Sequence, residues 1–191
     1  MLDFFRELWY RLSRRKGRYE VLYAMVSRIP SVYGDIARAG VISRVFATCG
    51  VNLSVGEVTT FWNPESIQAG DNVSIGKDAV LQAGGGLILG DDVLIGPRVM
   101  IWTQNHSMDD IEIPVRLQGY TYKAVEIGAD CWIGANSFIL PGVKLPRGCV
   151  VSAQSVVGIK AYREYSIIAG HPARVIGYRH DRATQNSSDG G

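Results

Sequence analysis

Histidines are the side chains of this sequence best suited to moving a proton near neutral pH, and one of them interrupts an otherwise regular pattern. His106, with Asn105 directly before it, lies at the start of a long loop, whereas His171 and His180 lie close to the C-terminal end. A neutral imidazole, whose reference pKa is about 6.5, can accept a proton in this range. The loop that begins at residue 103 is therefore the main indication of function in this sequence.

The elements that must hold this loop are short and regular. Between Ile75 and Val157 an aliphatic residue recurs about every six positions, and glycine follows many of them. Two residues are added around residues 84–86, and a longer insertion separates Ile101 from Ile127. The repeating aliphatic positions are Ile75, Leu81, Leu89, Ile95, Ile101, Ile127, Ile133, Ile139, Leu145, Val151 and Val157.

A period of six predicts an all-β fold in which short strands alternate with tight corners. Side chains alternate along a strand, so a short strand and a corner together place apolar residues inward at fixed intervals. Three such segments close a triangular turn of about eighteen residues, and successive turns stack at the interstrand spacing of about 4.8 Å. Hexapeptide repeats of this kind are typical of a parallel β-helix.

A spacing of eighteen residues places similar side chains above one another. The expected aliphatic pairs are Ile127 with Leu145, Ile133 with Val151, and Ile139 with Val157. The small inward positions between them stack Cys131 on Cys149 and Ser137 on Ser155. With Cys49, the three cysteines are too few for a disulfide framework and lack the spacing of a zinc site. We therefore expect the stacked cysteines to be reduced thiols in the core, with a redox role as the alternative.

Residues 1–40 are predicted to form a basic, amphipathic helical segment. Residues 1–30 carry seven Arg or Lys against three acidic residues. Gly17 is expected to interrupt or end a first helix, and Pro30 to end a second one. Two compatible interpretations follow: residues 1–18 rest on an anionic membrane surface, or the helix covers the sheet edge at the end of the repeat domain.

The expected organisation is this segment, then a β-helix domain over residues 41–178 with a protruding loop at 103–124, then a disordered tail over 179–191. The net charge of +2 and the lack of a dense basic pattern argue against nucleic-acid binding. No apolar run is long enough to span a bilayer, and no secretory signal is evident. We expect a cytoplasmic protein, with peripheral contact at the inner membrane face as the option that the basic N-terminus adds.

Three stretches carry the pattern of a known family. They are Ile127-Gly-Ala-Asp-Cys-Trp-Ile-Gly-Ala-Asn, Ile139-Leu-Pro-Gly-Val and Ala169-Gly-His-Pro-Ala-Arg-Val-Ile. These stretches resemble the hexapeptide-repeat O-acetyltransferases, nearest to those that acetylate sugars of exopolysaccharide and O-antigen, and the resemblance covers about residues 51–178. It implies a left-handed parallel β-helix, a homotrimer with active sites between subunits, and acetyl-CoA as the acyl donor, with no metal.

The resemblance also implies a role for His106, because the family's catalytic histidine lies where the ladder opens into its long loop. A sugar hydroxyl is too weakly acidic to attack a thioester at neutral pH, so a general base must take its proton. The attack creates an oxyanion, for which Asn105 or a backbone amide is a candidate donor. Asp109, Asp110, Glu112 or a backbone carbonyl could orient the imidazole.

Five further residues match positions that contact CoA in the family. Trp132 matches a tryptophan beside the pantetheine thiol, with corner packing as the alternative interpretation. Ala135 and Ala153 match small residues where the pantetheine arm passes the backbone. Lys160 and Arg174 match basic residues near the CoA phosphates.

The expected function is O-acetyl transfer to a sugar hydroxyl of a polysaccharide or lipid-linked glycan precursor. Residues 83–86 read Ala-Gly-Gly-Gly where the disaccharide-acetylating branch has polar residues, so a free galactoside or maltoside is not expected as acceptor. The alternatives are another acceptor (serine, an amino sugar or an antibiotic) and a non-catalytic trimeric scaffold. A γ-type carbonic anhydrase would need three histidines meeting at a zinc ion between subunits. This function is not expected, because His171 and His180 lie beyond the repeats, close to the C-terminal end.

Overall fold

The computed structural model describes residue 6 and residues 15–181, and two helices form its N-terminal part. Helix α1 comprises Arg15–Val26 and helix α2 comprises Ser31–Ile42. The second helix extends two residues beyond the predicted segment.

The helix boundaries agree with the sequence at Pro30 and disagree at Gly17. Pro30 directly precedes α2 and separates the two helices. Gly17 lies buried inside α1, so the prediction that it interrupts or ends a helix is wrong. Tertiary packing of a helix routinely outweighs the low helix propensity of a single glycine. Most of residues 1–18, for which membrane contact was an interpretation, lie outside the described residues.

Nineteen short strands follow in the described chain. They are β1 (Thr48–Cys49), β2 (Ser54–Val55), β3 (Thr60–Trp62), β4 (Ile67–Ala69), β5 (Ser74–Ile75), β6 (Val80–Gln82), β7 (Leu87–Leu89), β8 (Leu94–Ile95), β9 (Met100–Trp102), β10 (Gln104–His106), β11 (Tyr120–Tyr122), β12 (Val125–Ile127), β13 (Trp132–Ile133), β14 (Phe138–Ile139), β15 (Lys144–Leu145), β16 (Val150–Val151), β17 (Val156–Val157), β18 (Ser166–Gly170) and β19 (Ala173–Tyr178). Two short 3-10 helices, Pro64–Ser66 and Val115–Leu117, lie in loops.

Sixteen of these strands form three parallel sheets that are the faces of a β-helix. Face A has the order β1-β4-β7-β12-β15, face B the order β2-β5-β8-β13-β16-β18, and face C the order β3-β6-β9-β14-β17. The chain visits the faces in the order A, B, C in each coil, so every strand pairs with its counterpart one coil away. The predicted all-β parallel β-helix is therefore confirmed.

The aliphatic columns stack in the predicted register. Ile127 pairs with Leu145, Ile133 with Val151, and Ile139 with Val157, and all six side chains are buried. At about 25 cal/mol per Å² of buried apolar surface, such a continuous column is the main source of stability of the coils. The ladder of aliphatic residues is thus the core of the protein.

The cysteine column is confirmed as well. Cys131 and Cys149 are free, buried thiols on adjacent coils, and Ser137 and Ser155 occupy the matching position at the next corner. The hydrogen bond with Cys149 and burial raise the pKa of the Cys131 thiol. A thiol that stays protonated in a packed interior is a structural residue rather than a reactive one.

Extra residues accumulate at one corner of the β-helix, between face C and face A, which we call the C–A corner. Register partners are twenty residues apart from β2 to β5 and eighteen apart from β13 to β16. The two additional residues fall at Asn63–Pro64 in the first coil and at residues 83–86 in the second. The loop 103–124 interrupts the third coil at the same corner. The longest insertion, in the third coil, therefore falls at the corner where the first two coils also carry extra residues.

The two helices, which we call the helical cap, cover the open edge of the first coil. Arg38 of α2 is fully buried, and its Nε donates a hydrogen bond to the Val55 carbonyl at 2.8 Å. Its Nη1 donates to the carbonyls of Ile29 at 2.7 Å and Val26 at 3.3 Å, and Nη2 pairs with Asp35. A buried guanidinium is tolerated because its N–H groups find acceptors in this way.

Helix α1 is held by an aromatic contact on the same edge. The Tyr23 hydroxyl donates to the Thr59 carbonyl at 3.0 Å, and its ring packs edge-on against Phe61 at 5.6 Å. Burial raises the pKa of Tyr23, so the hydroxyl remains a donor through the neutral range. Both helices therefore donate hydrogen bonds to carbonyls that no neighbouring coil can reach.

The other end of the β-helix closes with an antiparallel strand. β18 continues face B, and β19 returns along it. The expected disordered tail is wrong at residues 179–181, which are helical because Arg179 is anchored by its ion pair with Asp130, and residues 182–191 lie outside the described residues. No helix in the described part of the chain is long and apolar enough to cross a membrane.

Candidate active site

The loop at the C–A corner begins and ends as a hairpin. β10 pairs antiparallel with β11, so that Gln104 lies opposite Tyr122, and His106 lies opposite Tyr120. The hairpin carries the loop away from the three faces, and the Val115–Leu117 turn lies within it. The predicted protruding loop is therefore a β-hairpin whose tip is irregular.

Buried polar contacts fix the base of this hairpin. Gln82 is buried, and its Oε1 accepts hydrogen bonds from the Thr103 N–H at 3.1 Å and hydroxyl at 3.0 Å. The Lys123 N–H donates to the Thr103 carbonyl at 2.8 Å, and the Gly85 N–H donates to the Thr103 hydroxyl at 2.8 Å. A Cβ at Gly85 would lie 2.4 Å from that carbonyl, so glycine is needed there. The glycine run thus lets the loop leave the coil in a defined direction.

His106 is exposed on the hairpin and stacks on a neighbouring ring. The centroids of His106 and Tyr120 are 4.4 Å apart, with an interplanar angle of 37°. The Tyr120 ring is in turn 6.3 Å from that of Tyr122. Cross-strand aromatic pairs of this kind contribute roughly 0.5–1.5 kcal/mol beyond burial. His106 therefore contacts the Tyr120 ring and remains exposed to solvent.

A cavity of about 440 Å³ opens beside His106. Asn105 lies in its wall, and the Asn105 Oδ1 accepts a hydrogen bond from the His106 N–H at 3.0 Å. Lys123 supplies a cation to the same wall. The remaining lining residues are Ser107, Met108, Asp109, Thr121, Leu140, Pro141 and Ile159.

Of the three acids proposed to orient His106, one shares its cavity. Asp109 lines the cavity, whereas Asp110 accepts a hydrogen bond from the Glu112 N–H and stabilises the loop itself. In the described chain no carboxylate forms an ion pair or hydrogen bond with the His106 imidazole. The tilted contact with the Tyr120 ring is therefore the side-chain interaction of the imidazole seen in the described chain.

The small residues expected to contact pantetheine lie at the corner between faces B and C. The Gln154 N–H donates to the Ala135 carbonyl at 2.9 Å, which places Ala135 and Ala153 on adjacent coils. A Cβ on Gly134 would lie 2.5 Å from the Ala153 nitrogen, so the coils are in close contact here. Trp132 projects from face B with 54% of its surface exposed. An exposed tryptophan beside a corner of small residues leaves room for an extended ligand such as a pantetheine arm.

The two predicted phosphate-binding residues lie near the closing strand. Lys160 is exposed, and its Nζ donates to the Ala173 carbonyl at 3.0 Å. Arg174 is exposed on β19, opposite Ala169. Arg179 also lies near this end, but its guanidinium is paired with Asp130 at 2.8 Å. Lys160 and Arg174 are thus two of the exposed cations near this end of the β-helix.

Comparison with known proteins decides the family. The family model described as bacterial transferase hexapeptide (six repeats) matches residues 124–158, which include Trp132, Ala135 and Ala153. Galactoside O-acetyltransferase of Escherichia coli is 31% identical over 76% of this chain and 70% of its own length. The chain belongs to the hexapeptide-repeat acetyltransferase family.

Other members of this family differ in length. A putative lipopolysaccharide biosynthesis O-acetyl transferase of Escherichia coli is 34% identical over 58% of this chain and 60% of its own length. A probable acetyltransferase of Mycobacterium tuberculosis is 39% identical over 58% of this chain. The chain spans only 37% of the length of that relative.

A solved member of the family has the same architecture. The structure of a galactoside acetyltransferase in complex with coenzyme A superposes with a TM-score of 0.77 and 28% sequence identity. The superposition covers 93% of this chain and 84% of the other. The agreement includes the coils and extends over most of the described residues.

Within one acetyltransferase chain the fold separates the two groups of predicted site residues. Asn105 and His106 lie at the C–A corner, whereas Trp132 lies on face B and Ala135 and Ala153 lie at the B–C corner. Among the described residues no hydrogen bond or ring contact joins the two groups. One chain therefore holds the candidate base and the candidate CoA-binding residues at separate places.

Sequence reasoning missed two residues beside the base. They are Tyr120 and Lys123, both within the loop 103–124, to which the sequence alone assigns no role. Both follow from pairing the two ends of the loop, because the hairpin register sets Tyr120 opposite His106 and places Lys123 at the hairpin base. The described residues contain no group of three or more His, Cys, Asp or Glu that could hold a metal ion.

Proposed function

We propose that this protein transfers an acetyl group from acetyl-CoA to a sugar hydroxyl of a polysaccharide or lipid-linked glycan precursor, with His106 as general base. The observation that carries the proposal is the exposed imidazole, oriented by Tyr120 and opening into a cavity of about 440 Å³. The family supports acetyl transfer, and the coenzyme A complex of a solved relative supports the donor.

The proposed reaction needs only proton transfer and one acyl exchange. A neutral His106 nitrogen takes the proton of the acceptor hydroxyl as its oxygen attacks the thioester carbon. The tetrahedral intermediate then collapses, the C–S bond breaks, and the protonated imidazole returns the proton to the CoA thiolate. The products are the acetyl ester and free CoA, and the histidine is regenerated.

Asn105 is the proposed donor to the oxyanion. Its Oδ1 accepts the His106 N–H, so the Nδ2 end of the amide is the one left to donate. A fixed amide donor at an oxyanion typically accounts for a factor of about 10²–10³ in kcat. A backbone N–H is the alternative donor.

We infer a homotrimer in which the active site forms between subunits. The separation of His106 from Trp132, Ala135 and Ala153 within one chain supports this, because the donor surface would come from a neighbour. The loop supports it too, since it exposes apolar side chains that an adjoining subunit would cover. These include Met108, Ile111, Ile113, Val115 and Leu117.

On this proposal Lys160 and Arg174 bind the CoA phosphates. Both are exposed cations near the closing end of the β-helix, and phosphates favour such positions on electrostatic grounds. Trp132 would pack beside the pantetheine thiol. Replacing Arg174 with alanine should raise the KM for acetyl-CoA more than it lowers kcat.

The decisive experiment compares His106→Ala with His180→Ala, a second exposed histidine outside the cavity. Both variants should form the same oligomer on size exclusion with light scattering. With acetyl-CoA and a bacterial polysaccharide fraction as acceptor, His106→Ala should lower CoA release by about 10²-fold or more, and His180→Ala should not. Full activity of His106→Ala would refute the mechanism.

The acceptor is tested with the wild-type protein. A glycan or lipid-linked sugar should release CoA faster than serine, an amino sugar or chloramphenicol, each tested at the same concentration. A clear preference for one of the latter three would replace the proposed acceptor. Failure to bind CoA by calorimetry would favour the non-catalytic scaffold instead.

A further inference from the structure

The outward side of the helical cap exposes a run of apolar side chains, which we call the cap patch. Met25, Tyr33 and Ile36 are the most exposed, at 71%, 77% and 65% of their surface. Scattered exposed apolar residues are normal, but contiguous groups mark interaction surfaces. The cap patch consists of Leu22, Met25, Ile29, Val32, Tyr33 and Ile36.

Helical spacing places these side chains on the sides of the helices that face away from the coils. On α2, Gly34, Arg38 and Ile42 are buried, whereas Val32 and Ile36 project in the opposite direction. On α1, Tyr23 packs toward the first coil at Phe61, and Leu22 and Met25 lie on other sides of the helix. The apolar residues that stabilise the cap are thus a different set from those of the cap patch.

Two exposed arginines flank the cap patch. Arg18 lies one turn before Leu22 on α1, Arg28 lies in the turn between the helices, and both are exposed. No carboxylate among the described residues pairs with either arginine. Of the two acids of the cap, Asp35 is paired with Arg38, and Glu20 lines a cavity against the first coil. Outward, the cap therefore combines apolar side chains with unneutralised cations.

We propose that the cap patch binds the surface of an anionic lipid bilayer. Apolar side chains of Leu22, Met25 and Ile36 would enter the headgroup region, and Arg18 and Arg28 would contact lipid phosphates. An amphipathic helical surface with apolar and basic residues binds anionic interfaces in this manner, with affinity that falls as salt screens the charges. The charge complementarity favours a lipid surface over a second copy of this chain, whose cap would carry the same positive charge.

The position of the cap at one end of the β-helix adds to this binding. In a trimer whose axis runs along the β-helix, symmetry places all three caps at the same end, so they can contact one surface together. Three linked weak contacts bind far more tightly than one. This step alone rests on the trimer of the proposed function, whereas the cap patch itself belongs to a single chain.

The test is co-sedimentation of the full-length protein with vesicles. Wild type should sediment with vesicles of equal parts phosphatidylcholine and phosphatidylglycerol, should not sediment with phosphatidylcholine alone, and should be released as salt is raised. Met25→Glu combined with Ile36→Glu should reduce binding by at least about ten-fold. Each of Arg18→Ser and Arg28→Ser should reduce it by about five-fold.

The matched control is Ile176→Glu, which adds the same charge at an exposed isoleucine on β19 at the other end of the molecule. It should bind vesicles as wild type does. Absence of wild-type binding, or undiminished binding of Met25→Glu with Ile36→Glu, would overturn the proposal. So would a larger wild-type assembly that this double variant dissolves, because the cap patch would then contact another copy. CoA release with a soluble acceptor is measured in parallel, so that loss of membrane binding and loss of acetyl transfer are told apart.

Discussion

Removing the Arg38 side chain should destabilise the protein more than any exposed substitution. Arg38 is fully buried and donates to the Val55 carbonyl at 2.8 Å and to the Ile29 carbonyl at 2.7 Å. Hydrogen bonds from a charged donor contribute about 1.5–3 kcal/mol each. The contact with the Val26 carbonyl at 3.3 Å is longer and contributes less. We therefore expect Arg38→Met to lower the free energy of unfolding by about 3–5 kcal/mol.

Methionine is the informative replacement because it keeps an unbranched stem in the same space and removes every donor. Asp35→Asn is the control: the Asp35 side chain is 42% exposed, so losing its ion pair with Arg38 should cost no more than about 1 kcal/mol. The measurement is urea unfolding followed by circular dichroism, at one protomer concentration because assembly changes apparent stability.

The outcome separates hydrogen bonding from packing. If Arg38→Met stays within about 1 kcal/mol of wild type while Arg38→Ala does not, the stem of the side chain holds the cap and the donors do not. If neither variant is destabilised, water replaces the guanidinium at the carbonyls, and the reasoning about the first-coil edge is refuted.

Three further predictions test other contacts. Tyr120→Leu should lower kcat by about 3–10-fold by releasing the imidazole, while Tyr120→Phe keeps the wild-type value; equal kcat in both variants would contradict the stacking role. Because the hydrogen bond with Cys149 and burial raise the pKa of Cys131, this thiol should resist Ellman's reagent at neutral pH until urea is added, and rapid labelling of the native protein would contradict this. Burial also raises the pKa of Tyr23, so the unfolded state ionises first and the unfolding free energy should fall above pH of about 10. Tyr23→Phe should lack that fall and lose about 1 kcal/mol below it, whereas an unchanged alkaline slope would show that other groups cause it.

Much of the fold could be predicted because its contacts repeat at a fixed interval. The pairing of Ile127 with Leu145 and the stacking of Cys131 on Cys149 follow from counting eighteen residues, since each coil contacts only the next one. Local signals are equally direct: Asn63 and Pro64 are turn-forming residues, and the chain turns there. In a solenoid, sequence distance is a reliable guide to spatial distance.

The other features of the fold and of the site depend on contacts between residues that the repeat does not relate. Arg38 reads in the sequence as one more basic residue of a helix, yet it is buried because the first coil leaves carbonyls without donors. Gly17 has the low helix propensity of a break, yet it is buried and lies within helix α1. Tyr120 and Lys123 lie near His106 only because the two ends of a long loop pair as a hairpin.

The sequence by itself determined the repeat, the buried columns and the loop that carries His106, because each of these is encoded by local alternation and by period. The tertiary structure decided where that loop leaves the coil, which ring contacts the imidazole, and that His106 and Trp132 lie at separate places on one chain. It also decided which apolar residues of the cap face inward and which form the cap patch. These depend on the corner at which the insertion falls and on the packing of the cap against the first coil, and neither can be read from spacing.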